Sequence, residues 1–371
     1  MKRISRQIKT ICRNPQNALF LIGHRLASEF SFYLSALTGG NALPPEAVNI
    51  YPTDRCNLKC SMCFERLRTP RLELEIGEWF AIIEQLKRFK PRVHISGGEP
   101  FVYPAIGKLI AYIKKSGLFL AITTNGTFLS DYAEEIVRMK VNLVTVSIDG
   151  PAEIHDAIRG VKGSFDRIIN GLALINKFKK GRSLPSIRIN SMVNLKRPAA
   201  MFDILKIAYE TNAESVQFLH PFFLQPRDLT NHRLYLQKEI KRDLNYWQGA
   251  DIPQNPPKDL DELYKSLCLL ASEKHIAVRI FPSFDLKQLT AYYQQDTDLP
   301  GTIRGRCRAL WNTMTILPSG EVESCPDYII GDCKKESILK LWNNSTIKKL
   351  RGRIKKRGFF SVCKACCFFY M

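Results

Sequence analysis

The feature that most constrains this chain is Cys56-Asn57-Leu58-Lys59-Cys60-Ser61-Met62-Cys63, three thiols spaced C-x3-C-x2-C. It directly follows Ala47-Val48-Asn49-Ile50-Tyr51, a short run that reads as a buried strand. A loop leaving a strand end has a fixed base and a tip that can curl around a ligand. Soft thiolates suit iron, and two or three intervening residues let the sulfurs converge on one cube. Three cysteines leave one iron of a cubane open, and that iron can bind a second molecule. A zinc site would need a further donor, and this loop offers no His.

Further strand-like runs follow at 92–96, 119–123, 142–146, 187–194 and 215–219. Segments of helical period separate them, such as Trp79, Ile82, Ile83 and Leu86, then Ile106, Leu109, Ile110 and Ile113. Six strands alternating with helices predict an α/β fold with a parallel sheet, and ligands gather at the C-terminal strand ends. Those ends carry Gly97-Gly98-Glu99-Pro100, Thr124-Asn125-Gly126 and Ser147-Ile148-Asp149-Gly150. Glycine lets backbone approach a ligand closely, although each stretch also reads as a simple turn. In the fifth strand, alternation places Arg188, Asn190 and Met192 on the side opposite Ile187, Ile189 and Ser191.

The cysteine loop, with the GGEP turn one βα unit later, resembles the radical S-adenosylmethionine (SAM) superfamily. The resemblance implies a partial (β/α)6 barrel and a [4Fe–4S] cluster on Cys56, Cys60 and Cys63. SAM would bind the open iron and be cleaved by one electron to methionine and a 5′-deoxyadenosyl radical. Carried over residue by residue, the SAM-binding set is Gly97, Gly98, Glu99, Pro100, Thr124, Asn125, Ser147, Asp149, Arg159, Asn190 and Leu219. Glu99 would accept from the SAM amino group and Arg159 would neutralise its carboxylate. Met62 departs from the aromatic residue usual before the third cysteine, but it too can cover adenine. His94 reads as a core histidine, and His220 as core or substrate-facing.

Near the C-terminus, Cys307 and Cys325 flank a hairpin turning at Pro318-Ser319-Gly320, and Cys363-Lys364-Ala365-Cys366-Cys367 follows a helix predicted over 338–350. The C-x12-G-x4-C element resembles the SPASM extension or its shorter twitch form. It implies one auxiliary [4Fe–4S] cluster on Cys307, Cys325, Cys363 and Cys366, with Cys333 and Cys367 as substitutes. Four thiolates also suit a structural zinc. Asp327 and Tyr328 lie where relatives place a base and are the candidate catalytic residues. Cys268 reads as core, and Cys12 as a spare thiol.

The 371 residues divide into a basic amphipathic helical leader (1–46), the barrel (47–225), a helical connector (226–300) and the cysteine-rich module (301–371). Eleven cysteines, grouped rather than spread, indicate metal binding in a reducing, cytoplasmic compartment. No span of about 20 apolar residues forms, because His24, Arg25 and Glu29 interrupt the run after Ala18. The net charge of +20 favours anionic partners. The expected ones are an anionic or lipid-linked substrate and peripheral contact with an anionic inner membrane surface, with nucleic acid ranked below both. The chemistry implies an electron donor such as flavodoxin or ferredoxin. A peptide-modifying maturase is the alternative enzyme, and a non-catalytic iron–sulfur or zinc protein the alternative of another class.

Overall fold

The computed structural model describes residues 29–63, 70–222, 224–243, 246–250, 256–294 and 307–370. The basic leader before residue 29, Cys12 included, lies outside them. In chain order the helices are α1 (29–37), α2 (Ile76–Lys87), α3 (Ile106–Lys115), α4 (Leu129–Arg138), α5 (Ala152–Arg159), α6 (Ser164–Lys179), α7 (Met201–Glu210), α8 (Pro226–Ile240), α9 (Leu260–Ala271), α10 (Leu286–Tyr293), α11 (Ile338–Trp342) and α12 (Ser345–Arg357). The strands are β1 (Ala47–Ile50), β2 (Arg92–Ile95), β3 (Phe119–Thr124), β4 (Leu143–Ser147), β5 (Ser186–Met192), β6 (Ser215–Leu219), β7 (Ala277–Phe281), β8 (Thr313–Ile316), β9 (Glu321–Cys325) and β10 (Tyr328–Asp332).

The strands form one sheet in the order β10-β9-β8-β1-β2-β3-β4-β5-β6-β7. Every pairing from β8 through β7 is parallel, and β9 and β10 are antiparallel additions. Parallel strands need crossovers, which α2 to α9 supply. The register separates two faces. Val48, Ile50, Val93, Ile95, Leu120, Ile122, Val144, Val146, Ile187, Ile189, Val216 and Phe218 are at most 1% exposed and form the helix-covered core. Their neighbours one residue away, such as His94, Thr123, Arg188, Asn190 and Gln217, share the opposite, inner face and are mostly half-buried.

Four expectations change. The connector over 226–300 contains β7, which continues the parallel sheet beyond six strands. The C-terminal hairpin is not apart from the barrel either, because β8 pairs with β1 over Ala47–Ile50. The helix expected over 338–350 is two, α11 and α12, with Asn344 accepting from Ile347 N at 3.1 Å to start the second. Cys268 is exposed rather than core.

Helix α1 packs on this C-terminal region. Phe32 meets Trp311 edge-on at 4.8 Å and lies 3.6 Å beneath the Arg308 guanidinium. Lys355 Nζ donates to Phe32 O and Ser35 Oγ. Among the described residues no helix is long and apolar enough to cross a membrane.

Candidate active site and auxiliary cluster site

The cysteine loop leaves β1 and is laced to its surroundings by backbone. Lys59 N donates to Arg159 O and Ser61 N to Ile158 O, so the loop rests on the end of α5. Gly160 caps that helix at φ +73°, and a Cβ there would lie 2.8 Å from Lys59 O. On the other side, Gly98 N donates to Thr53 O and Glu99 N to Arg55 O. A Cβ on Gly98 would fall 2.2 Å from Arg55 O, so glycine alone permits this contact. The GGEP turn therefore braces the base of the cysteine loop.

Glu99 is fully buried. Its carboxylate accepts from Phe101 N, Thr124 Oγ1 and Asn125 N, tying the ends of β2 and β3 together. Burial raises its pKa to about 7, against the opposing pull of these bonds and of Arg159. Asn125 Nδ2 donates to Asn57 Oδ1 at 2.8 Å and sits 3.9 Å from Cys56 Sγ, while Asn57 Nδ2 donates to Thr127 Oγ1. Cys60 Sγ lies 3.8 Å from Arg159 Nη1. Burial, with Glu99 and the other two thiols adding to it, pushes Cys56 up to about 11. Bound irons would supply the missing positive charge. Asp149 accepts from Arg159 at 2.7 Å and from Met192 N at 3.0 Å, so its carboxylate fixes the Arg159 guanidinium.

The strand ends complete the site. Ser147 and Asn190 are register partners, and Asn190 pairs on with Gln217. Asn190 Oδ1 is buried without a hydrogen-bond partner, the mark of a group awaiting a ligand. Leu219 shares this inner face with Met192 and Phe281. The donor set and this orphaned acceptor fit a cluster with SAM. His94 is core-like: its ring bridges Asn49 Oδ1 and Thr123 Oγ1. His220 is buried among aromatics and bonded to Tyr293 OH at 2.6 Å.

The second thiol set is enclosed. Cys307, Cys325, Cys363 and Cys366 line one small, mostly apolar cavity with Leu310, Ile354, Phe360, Phe368 and Phe369. Burial raises all four thiols, and the others raise Cys325 further. Among the described residues no three His, Cys, Asp or Glu side chains are grouped to hold a single ion. The thiols surround a volume, and that fits a cluster. Cys333 is elsewhere, donating to Gly320 O at 3.0 Å. Cys367 adjoins the set but does not line the void.

Asp327 and Tyr328 are both held within the protein wall. Asp327, at φ +71°, donates its N–H to Glu323, accepts from Tyr246 N and lies 3.5 Å from His232 Nε2. Tyr328 stacks on Phe360 at 5.4 Å, and burial and Cys325 push its phenol well up. These contacts fix where both side chains sit beside the cluster loop.

Residues 50–189 match the radical SAM superfamily model, and residues 307–367 match the SPASM iron–sulfur cluster-binding domain model. A tungsten-containing aldehyde ferredoxin oxidoreductase cofactor-modifying protein of Pyrococcus furiosus is 33% identical over 326 residues, 85% of each chain. The chain belongs to the radical SAM superfamily, SPASM type. Among other radical SAM relatives, the Fe-coproporphyrin III synthase of Methanosarcina barkeri is 34% identical, covering 42% of this chain and 39% of its own. The subtilosin biosynthesis protein AlbA of Bacillus subtilis is 24% identical over 88% of this chain and 66% of its own. The chain thus spans less than two thirds of these two relatives' lengths. Among solved radical SAM structures, Streptococcus suis SuiB bound to S-adenosylmethionine superposes with TM-score 0.65 at 18% identity, over 98% of this chain and 83% of SuiB. This likeness shows the same fold. The radical SAM domain is one that binds a [4Fe–4S] cluster and SAM, and the SPASM domain one that binds auxiliary iron–sulfur clusters.

Proposed function

We propose that Cys56, Cys60 and Cys63 hold a SAM-binding [4Fe–4S] cluster, and that the chain abstracts hydrogen from an anionic metabolite seated in its barrel. The observation that carries this reading is the juxtaposition at the strand ends. The Gly97–Gly98 backbone packs on the base of the loop that carries the three thiols, Cys60 lies beside Arg159, and Asn190 Oδ1 near the end of β5 is buried without a hydrogen-bond partner. When bound, the cluster supplies the electron that cleaves SAM to methionine and a 5′-deoxyadenosyl radical.

The chain's own residues do the positioning. Arg159, fixed by Asp149, offers its charge to the SAM carboxylate, and Asn57 and Asn125 hold the loop around Cys56. Ser147 and Asn190 face the ribose side, and Leu219 the adenine side. Cys307, Cys325, Cys363 and Cys366 hold the auxiliary cluster. The donor of electrons is a flavodoxin or ferredoxin, and the basic surface makes peripheral contact with an anionic membrane. Anaerobically reconstituted protein should form 5′-deoxyadenosine from SAM under dithionite, and Cys60→Ala should abolish it. Wild-type protein that loads iron yet forms none would leave a binding protein instead.

A peptide substrate is the second reading. It is favoured by similarity to AlbA and to a PqqA peptide cyclase of Gluconobacter oxydans, 27% identical over 82% of this chain.

A further inference from the structure

We infer that helix α1 is part of the auxiliary cluster site: with α12 it holds the turn that aims Cys307 at the other three thiols. The cluster belongs to the reading above, whereas the latch rests on contacts between side chains. Cys325 ends a paired strand, and Cys363 and Cys366 share one short turn, where Cys366 N donates to Cys363 O at 3.1 Å. Cys307 lies in neither a strand nor that turn. It precedes the single 3-10 turn Ala309–Trp311, and the N–H groups of Ala309 and Leu310 donate to its sulfur. Both residues line the cavity that the four thiols share. The position of this turn therefore sets the position of Cys307.

The turn is gripped from behind by residues distant in sequence. Ser35 of α1, 276 positions before Trp311, is the hub. Its Oγ accepts from Trp311 Nε1 and from Lys355 Nζ, both at 2.7 Å, and donates to Phe32 O at 2.7 Å. Those bonds use a hydroxyl's one donor and both its acceptor positions, at 3% exposure. Arg308, next to Cys307, forks onto Glu29 at 2.9 and 3.1 Å and lies over the Phe32 ring. Arg351 of α12 adds a second grip. Its Nε donates to Leu310 O at 2.9 Å and its Nη1 to Gly40 O at 3.0 Å, tying the cavity wall to the segment just after α1. Ile354 of the same helix lines the cavity. Thus α1, the turn and α12 meet behind one wall. Without the Ser35 hydroxyl, the buried Trp311 N–H loses its acceptor, and the strain falls on the turn.

The reconstituted full chain, exposed to an iron chelator and iodoacetamide, tests this when each alkylated cysteine is mapped by peptide mass. Ser35→Ala should speed alkylation of Cys307 ~10-fold and leave Cys56 and Cys333 within about twofold of wild type. Glu29→Gln, at a half-exposed position where folding tolerates change, should speed it ~3-fold. Ala36→Ser, on the exposed side of the same helix, should change no thiol by more than about twofold. An unchanged Cys307 in both Ser35→Ala and Glu29→Gln, or an equal rise at Cys333, would overturn the latch, because the loosening is then absent or general. Alkylation reports a thiol with or without iron. Cys307 modified at one rate whether or not chelator is present, yet faster in Ser35→Ala, sinks the auxiliary cluster alone. A chelator-dependent Cys307 that neither variant moves sinks the latch alone.

Discussion

At the scale of single residues, the cysteine loop is held by groups with no slack. Gly98→Ala places a methyl against Arg55 O, a backbone atom that cannot swing aside. Overpacking of this kind costs about 1–3 kcal/mol, and the loop base must move to relieve it. The expected outcome is loss of the iron and absorbance of the SAM-binding cluster, with the auxiliary cluster retained. Asp149→Asn removes the charge that aims Arg159. Breaking a buried pair costs about 3 kcal/mol. SAM dependence should shift, with the KM for SAM raised ~10-fold or more and 5′-deoxyadenosine formation reduced. The candidate thiols could be picked out in the sequence, because cysteine spacing is a local pattern. The bond of Asp149 to Arg159 could not. It depends on how α5 folds back, and no spacing encodes that.

At the scale of elements, α8 and the auxiliary-cluster loop are locked together. Lys364, between two of the cysteines, pairs with Asp228 of α8 at 2.7 Å, both almost fully buried, and Ser361 Oγ donates to Asp228 O. Lys364→Met should destabilise the chain by about 3 kcal/mol because it leaves the buried carboxylate only its bond from Gln225 N, whereas Lys364→Met with Asp228→Asn, which keeps an acceptor for that N–H, should recover part of the loss. Equal thermal midpoints for the single and double variants would refute the lock. Strand ends also set the acid response. Burial lowers His94 to about 4 and His220 to about 3. Both stay neutral in the folded chain while the unfolded chain takes up protons near 6.5. Their contribution is therefore complete above about 6.5 and is lost as pH falls towards 4. Each should add about 1.4 kcal/mol per pH unit to that slope, and His220→Asn should remove one share in denaturant titrations. The element missed from sequence, β7, shows what periodicity lacks. Ala277-Val278-Arg279-Ile280-Phe281 is short, apolar at four of five positions and without clear alternation, and only its pairing with β6 identifies it.

At the scale of the whole molecule, the amino and carboxyl regions form one surface. The parallel pairing of β8 with β1 joins segments some 260 residues apart in sequence, a contact without local signature, so the hairpin read as a separate module. That joining places α1 beside α12. Phe30, Tyr33 and Leu37 recur at helical spacing on α1 and are 59%, 64% and 87% exposed, while Phe32 and Ser35 face inward. Helix α12 has no acidic residue, and Lys349 and Lys356 are exposed on it. An apolar stripe beside a basic face matches the chemistry of an anionic bilayer surface, with each lysine near it contributing about 1 kcal/mol. The full chain should co-sediment with phosphatidylglycerol vesicles and not with phosphatidylcholine vesicles. Replacing Phe30, Tyr33 and Leu37 with Ser should cut the bound fraction ~10-fold, and raising salt should weaken binding by screening the lysines. If the serine variant instead sediments unchanged, the lysines act alone and the stripe is ordinary surface. If it loses self-association and not lipid binding, the stripe belongs to a contact between copies of the chain.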